Sequence, residues 1–367
     1  MNWNLKKLAN QRLNDQVIDF DYQNEISVLK RRYYFKYVIT SGIIGALAVL
    51  VYYLPVDLFP EFFKIGTFII TLSKNNFEIS PIPILFSVFC LILELYILGL
   101  INIRMVKDLS EILNFKYDKN NFSEIHKKEL IKISLEDFSS NEKEIGIDPY
   151  SELSKTVIII FFIFNKAKAF LSNLVIKLLV RKLAGRYVLR LYTDLLGMPI
   201  YFFWNAYACR KVYRRTIFYF YSQNLTDYLV NYLFQKYGSS QEIKSILYEL
   251  LTTVAVKKHE LSSTHYVYSF KLLSQFGVPF QEKYERKKDF VIHLKNLEND
   301  LAKDLLLLFV TGIIIDGSIN KAELREIEQL KKELNVDSGV LYQVEEYLKA
   351  YKNGEAELFL ENRIIGT

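Results

Sequence analysis

Two apolar runs stand out in the first third of the chain. From Tyr37 to Leu54, YVITSGIIGALAVLVYYL carries no charge. At about 1.5 Å per residue it reaches most of the roughly 30 Å of bilayer hydrocarbon. Tyr33, Tyr34, Tyr52 and Tyr53 sit at its ends, where amphipathic rings favour the headgroup level, and Pro55 is expected to stop the helix. The second run, Ile79 to Ile103, is interrupted only by Glu94, and Pro81 and Pro83 suit a helix start. The pattern predicts a transmembrane hairpin over 37–107, with spans near 37–54 and 80–103. The connecting stretch KIGTFIITL, residues 64–72, is too short to span and is expected on the outer surface or packed on the hairpin.

Charge then sets the orientation. Lys30, Arg31, Arg32 and Lys36 precede the first span, and Arg104 and Lys107 follow the second, whereas the loop from Val56 to Glu78 has only Lys64 and Lys74. Basic flanks remain on the cytosolic side, so both termini are expected there. The segment 1–36 has no apolar core or small-residue cleavage site and does not read as a cleaved signal peptide.

Glu94 is the ionisable residue at membrane depth. A carboxylate at a helix centre costs about 2.5 to 3.5 kcal/mol on insertion scales, which makes it an ion or proton site or a hydrogen-bonded packing residue. We favour packing, with a homo-oligomer contact as its form.

Residues 108–150 are polar and mixed in charge and are expected to form a linker in which His126 is a solvated surface residue. From 151 to 237 the composition changes. Between Leu153 and Thr226 lie Lys155, Lys166, Lys168, Lys177, Arg181, Lys182, Arg186, Arg190, Arg210, Lys211, Arg214 and Arg215, against the single acid Asp194. In NLVIKLLVRKLAGRYVLRLY the bases recur about every four residues, so much of the charge falls on one helix face. Such a helix suits an interface with anionic lipids, and tethering beside a bilayer explains the charge without nucleic acid. An ordinary packed helix with solvated lysines is the other reading. The uncharged segment 195–209 is short for a span and is expected to be buried or re-entrant.

The last third repeats itself. Sliding TTVAVKKHELSSTHYVYSFKLLSQFGV by 58 residues superposes Thr253 on Thr311, Val256 on Ile314, Leu261 on Ile319, Ser262 on Asn320, Leu272 on Leu330 and Phe276 on Leu334. Each copy reads as an apolar helix, a turn, an N-cap at Ser262 or Asn320, and an amphipathic helix. Asn320 with Glu323 fits a capping box. Asp316 and Glu323 also fall at calcium-loop positions, but Gly312 and Ile314 stand where the leading oxygen ligands belong, so no metal is expected. His259 and His265 are expected in the turn and on a helix surface.

Hydrophobic residues make up 51% of the 367 residues and aromatics 15%, rich for a soluble domain. Cys90 and Cys209 both lie in apolar runs, which excludes a disulfide framework and a cysteine metal cluster. No nucleophile–base pair, phosphate loop or histidine–carboxylate cluster is present in the sequence. We therefore expect no enzyme, no catalytic residue and no cofactor.

Two resemblances add to this reading. Gly197, Pro199, Trp204, Asn205 and Ala206 form a G-x-P-x-x-x-x-W-N-A pattern. It resembles a segment of a family of bacterial two-pass membrane proteins with a helical carboxyl-terminal domain, and more faintly EcsC-like membrane-associated proteins. IIIDGSINKAELREIEQL resembles the tellurite-resistance TerB-like helical domain, which would cover 238–355, with 356–367 as a tail. That resemblance implies an interaction module of membrane-linked stress responses, with any metal role limited to Asp316 and Glu323. The expectation is an all-α protein: a hairpin anchor, a basic interfacial region and a helical bundle with an internal repeat. Its expected function is that of a bacterial inner-membrane scaffold or sensor recruiting protein partners, the alternative being a transporter or channel subunit using Glu94.

Overall fold

The computed structural model describes residues 19–66, 68–72, 75–79, 81–113, 122–135, 145–147, 197–238, 240–259, 261–281, 294, 297–333 and 344–364. Among these described residues the fold is all-α apart from one two-stranded ribbon. In chain order the elements are α1 (Asp19–Leu58), α2 (Pro60–Phe63), β1 (Phe68–Leu72), β2 (Asn75–Ile79), α3 (Pro81–Ile112), α4 (Phe122–Ser134) and α5 (Gly197–Tyr237). They continue with α6 (Gln241–Lys258), α7 (Ser263–Gln275), α8 (Asn299–Ile314), α9 (Lys321–Glu333), α10 (Val344–Asn353) and α11 (Ala356–Ile364). Two compact units result, one of 1–116 with 159–214, the other of 117–158 with 215–367. The boundary between them falls inside α5, at residues 214–215, rather than near residue 237.

In the first unit α1 and α3 form an antiparallel hairpin. The Tyr52 ring stacks on Phe86 at 5.9 Å, and toward the other end the Tyr37 hydroxyl donates to Asp108 Oδ2. Pro55 does not end α1 as expected; the helix passes through it to Leu58. In the last turn a proline removes only one intrahelical bond, and Phe59 N still donates to Pro55 O at 2.9 Å. The stop comes from Pro60, which keeps Phe59 out of the helical region (φ −125°, ψ 56°). Part of KIGTFIITL pairs as a strand, with Phe68 opposite Ile79 and Leu72 opposite Asn75; its β-branched Ile-Ile-Thr run favours this.

Both hairpin helices are long and apolar enough to cross a membrane. Only 6% of the most apolar window of α3 is buried, whereas the core helix of a soluble domain would be mostly buried. Ile39, Ile43, Leu47, Val51 and Leu54 form an exposed apolar stripe on α1. Its opposite face is small and buried, with Ser41, Gly42 and Gly45.

The second unit is built around α6 and α8, whose Ile246–Val256 and Leu301–Ile315 stretches are almost wholly buried. Helices α4, α7, α9, α10, α11 and the second half of α5 supply most of its other buried side chains. The linker reading of 108–150 is corrected here: residues 122–134 are a helix whose His126, Leu130 and Ile133 face inward. The repeat holds in the structure: Leu272 and Leu330 are both buried on the second helix of their copies. Leu334 lies outside the described residues. Equivalent turn positions also share a left-handed residue, His259 at φ 49° in the first copy and Gly317 at φ 78° in the second.

Leu330→Ala should lower the unfolding free energy of the second unit by about 2–5 kcal/mol, the range for a core leucine. Replacing the exposed Ile131 by Ala should change it by about 0.5 kcal/mol or less. Chemical denaturation of the detergent-solubilised chain, followed by circular dichroism, measures both.

Candidate functional site

Two polar constellations emerge, one in each unit. The first lies on the hairpin helices. The absence of side chains at Gly42 and Gly45 lets the start of α5 lie against α1. A Cβ at Gly42 would come within 2.7 Å of the Phe202 ring, and one at Gly45 within 2.6 Å of both Tyr201 O and Asn205 Nδ2. Small residues allow such close backbone approach between apolar helices. The approach delivers Asn205 to α3, where its Nδ2 donates to Glu94 Oε1 at 2.7 Å. Both side chains are buried within this one chain, so the burial of Glu94 does not require a second copy.

Further along α5, Cys209 Sγ approaches Met105 Sδ of α3 at 3.8 Å, and the Tyr213 hydroxyl donates to Lys30 O of α1 at 3.1 Å. α5 therefore runs parallel to α3 and antiparallel to α1. The segment 195–209, expected to be buried or re-entrant, packs from residue 201 onward on the middle of α1's apolar run. Gly197 begins α5 and Pro199 sits in its first turn, where a missing N–H costs nothing. Trp204, with Phe203 and Tyr207, is exposed on the outer face.

Of the basic residues expected to face lipid, Lys177, Arg181, Lys182, Arg186 and Arg190 lie outside the described residues. Arg210, Lys211, Arg214 and Arg215 continue α5; Arg210 and Arg214 are exposed, and Lys211 and Arg215 are partly buried. The contacts at Met105 and Lys30 bring Arg104 and Lys107 of α3, Lys30 to Lys36 of α1 and Arg210 to Arg214 of α5 to one end of the three helices.

The second constellation is the pair of repeat turns. Asp316 and Glu323 are indeed brought together, but around a side chain of the same chain. Lys258 Nζ lies 3.1 Å from Asp316 Oδ2, 3.3 Å from Glu323 Oε2 and 3.0 Å from Ser318 O. The Lys258 and Glu323 side chains are each 6% exposed. The ammonium thus stands where a calcium loop would hold its ion. Lys258 is the repeat counterpart of Asp316, 58 residues earlier, and one turn back Val254 packs on its own counterpart Gly312. The local cap is complete: Asn320 Oδ1 accepts from Ala322 N and Glu323 N, while Glu323 Oε2 accepts from Asn320 N, each at 2.9 Å.

Position 265, the counterpart of Glu323, does the same in the other direction. His265 is buried rather than on a helix surface; its Nε2–H donates to Gly312 O at 3.0 Å and its Nδ1 lies 2.7 Å from Ser262 Oγ. The surface reading missed this because the N-cap spacing fixes where the ring starts but not which helix covers it. His126 is also corrected from solvated to buried: its Nδ1 lies 2.7 Å from the Tyr219 hydroxyl, within hydrogen-bond distance. Burial, reinforced by Lys271, pushes its pKa down to about 4. Among the described residues no group of three or more His, Cys, Asp or Glu side chains is placed to hold a metal ion.

No protein-family model, curated protein or solved structure matches this chain.

Two outcomes follow from the geometry. Lys258→Met should destabilise the second unit by about 3–5 kcal/mol, because it leaves two carboxylates facing each other without their cation. Added calcium should leave the melting midpoint of the wild-type chain unmoved. For His126, a folded pKa near 4 below an ordinary 6.5 means that the unfolded state binds the extra proton. Its contribution is complete above about pH 6.5 and is lost as pH falls toward about 4, by roughly 3 kcal/mol. The stability of His126→Gln should fall less over that window in denaturation curves taken across pH.

Proposed function

We propose that the chain is a membrane-anchored helical scaffold, with α1 and α3 spanning a bilayer, α5 entering it from the cytosolic side, and the second unit in the cytosol as a partner-recruiting module. One observation carries the placement: three helices remote in sequence bring Lys30 to Lys36, Arg104 and Lys107, and Arg210 to Arg214 to the same end of an apolar bundle. Basic residues collect at the cytosolic face of spanning helices, and each contributes on the order of 1 kcal/mol beside anionic headgroups. The loop with β1 and β2 is then extracytoplasmic. The first unit acts as anchor, with its basic belt on anionic lipid.

The polar residues at the second unit's repeat turns are engaged in holding the two copies together through Lys258, His265 and the Asn320 cap. This favours a structural and binding module over a catalytic one. The TerB-like pattern at 313–330 points the same way.

Cysteine labelling from outside intact spheroplasts should reach a probe at Asn75 and miss one at Asn353; labelling at Asn353 from outside would contradict the topology. In detergent, phosphatidylglycerol should raise the melting midpoint of the full chain more than phosphatidylcholine does. Reversing Arg210 and Arg214 to Glu should abolish that difference.

A further inference from the structure

The outward side of α5 in the first unit is one continuous stripe. Successive helical residues turn by about 100°, so Ile200, Phe203, Tyr207, Arg210 and Arg214 fall within an arc of about 80°. All five are exposed, while Tyr201, Asn205, Cys209 and Val212 on the opposite side are buried. The stripe changes character once along its length, from apolar and aromatic side chains to two arginines. No acidic residue occurs in α5 before Asp227.

Depth follows from the contacts on the buried side. The apolar end stands at the level of Gly45, which faces Tyr201 and Asn205 and lies in the middle of the uncharged run of α1. The basic end begins beside the Cys209–Met105 contact, next to Arg104 of α3. Ile200 to Arg210 is a rise of about 15 Å, half of the roughly 30 Å of bilayer hydrocarbon. The apolar part is therefore one leaflet long, and positive charge stands only at its cytosolic end. Charge and length together fit a phospholipid with an anionic headgroup.

We propose that this stripe seats an anionic phospholipid of the cytosolic leaflet, its phosphate at Arg210 and Arg214 and an acyl chain along Tyr207, Phe203 and Ile200. The two arginines are one turn apart, and guanidinium groups match phosphate oxygens in bidentate geometry. Aromatic side chains below them give the chain a rigid surface. This rests on the membrane placement proposed above and narrows part of its basic belt to a single seat.

The test reads the fluorescence of Trp204, which is exposed beside Phe203; Trp3→Phe leaves it as the only tryptophan. The full chain is placed in nanodiscs of equimolar phosphatidylglycerol and phosphatidylcholine, with bromine on the acyl chains of one lipid or the other. Brominated phosphatidylglycerol should quench Trp204 several-fold more than brominated phosphatidylcholine. Arg210→Gln with Arg214→Gln should make the two equal, whereas Arg31→Gln with Arg32→Gln, an equal loss of exposed charge from α1, should leave the preference standing. Equal quenching in the wild-type chain, or a preference that the α1 pair removes as fully as the α5 pair, would overturn the seat and leave the membrane placement intact. A preference that survives the loss of Arg210 and Arg214 would overturn their role in holding the headgroup. Quenching by aqueous acrylamide with none from either lipid would overturn the placement itself. No quenching by any of the three would mean that protein covers this face, which also overturns the seat.

Discussion

The close approach of α1 to α5 at Gly42 and Gly45 is the contact on which the first unit depends. Without it α1 and α3 are a simple hairpin, and Glu94 lacks the hydrogen bond from Asn205. With it, Asn205 reaches the carboxylate, Cys209 meets Met105, and Tyr213 ties back to Lys30. A side chain at either glycine would displace the Phe202 ring or the backbone at Tyr201, and every contact further along α5 would shift with it. The polar pair and the glycines are therefore one device. The glycines permit the distance, and the hydrogen bond fixes the rotation of α5 about its axis.

A second pairing of equivalent positions organises the other unit. The two repeat copies meet through Val254 on Gly312 and Lys258 on Asp316, so each residue contacts its own counterpart. The divergence between copies follows from this meeting. Two valines would collide at 254 and 312, and two acids or two bases at 258 and 316 would repel. One copy carries the methyls and the cation, the other the missing Cβ and the carboxylate. What resembles a half-lost calcium loop in the second copy is one side of an internal ion pair, with Glu323 as the third member.

Much of this was legible in the sequence because it follows from local rules. The two long apolar helices come from runs nearly free of charge, the Asn320–Glu323 cap from three-residue spacing, and the burial of Leu272 and Leu330 from the repeat. The contacts that join distant segments were not legible. Nothing in the periodicity near residue 126 says that Tyr219 covers it, and nothing near Glu94 names Asn205 as its partner. The clue to Lys258 was present, since the 58-residue offset places it on Asp316, but an offset does not say that counterparts touch. Pro55 misled for a local reason: a proline in the last turn of a helix removes too little to stop it.

The α1–α5 contact is tested most directly by cross-linking. In a chain with Cys90 and Cys209 replaced by Ala, cysteines are placed at Gly42 and Phe202; the Phe202 substitution removes the ring that a side chain at 42 would strike. Mild oxidation in native membranes should then give an intrachain disulfide, detected by mass spectrometry after proteolysis, and adding Gly45→Leu should abolish it. Absence of the intrachain link, or cross-linked dimers in its place, would contradict the account of α1, α3 and α5 packed together within one chain.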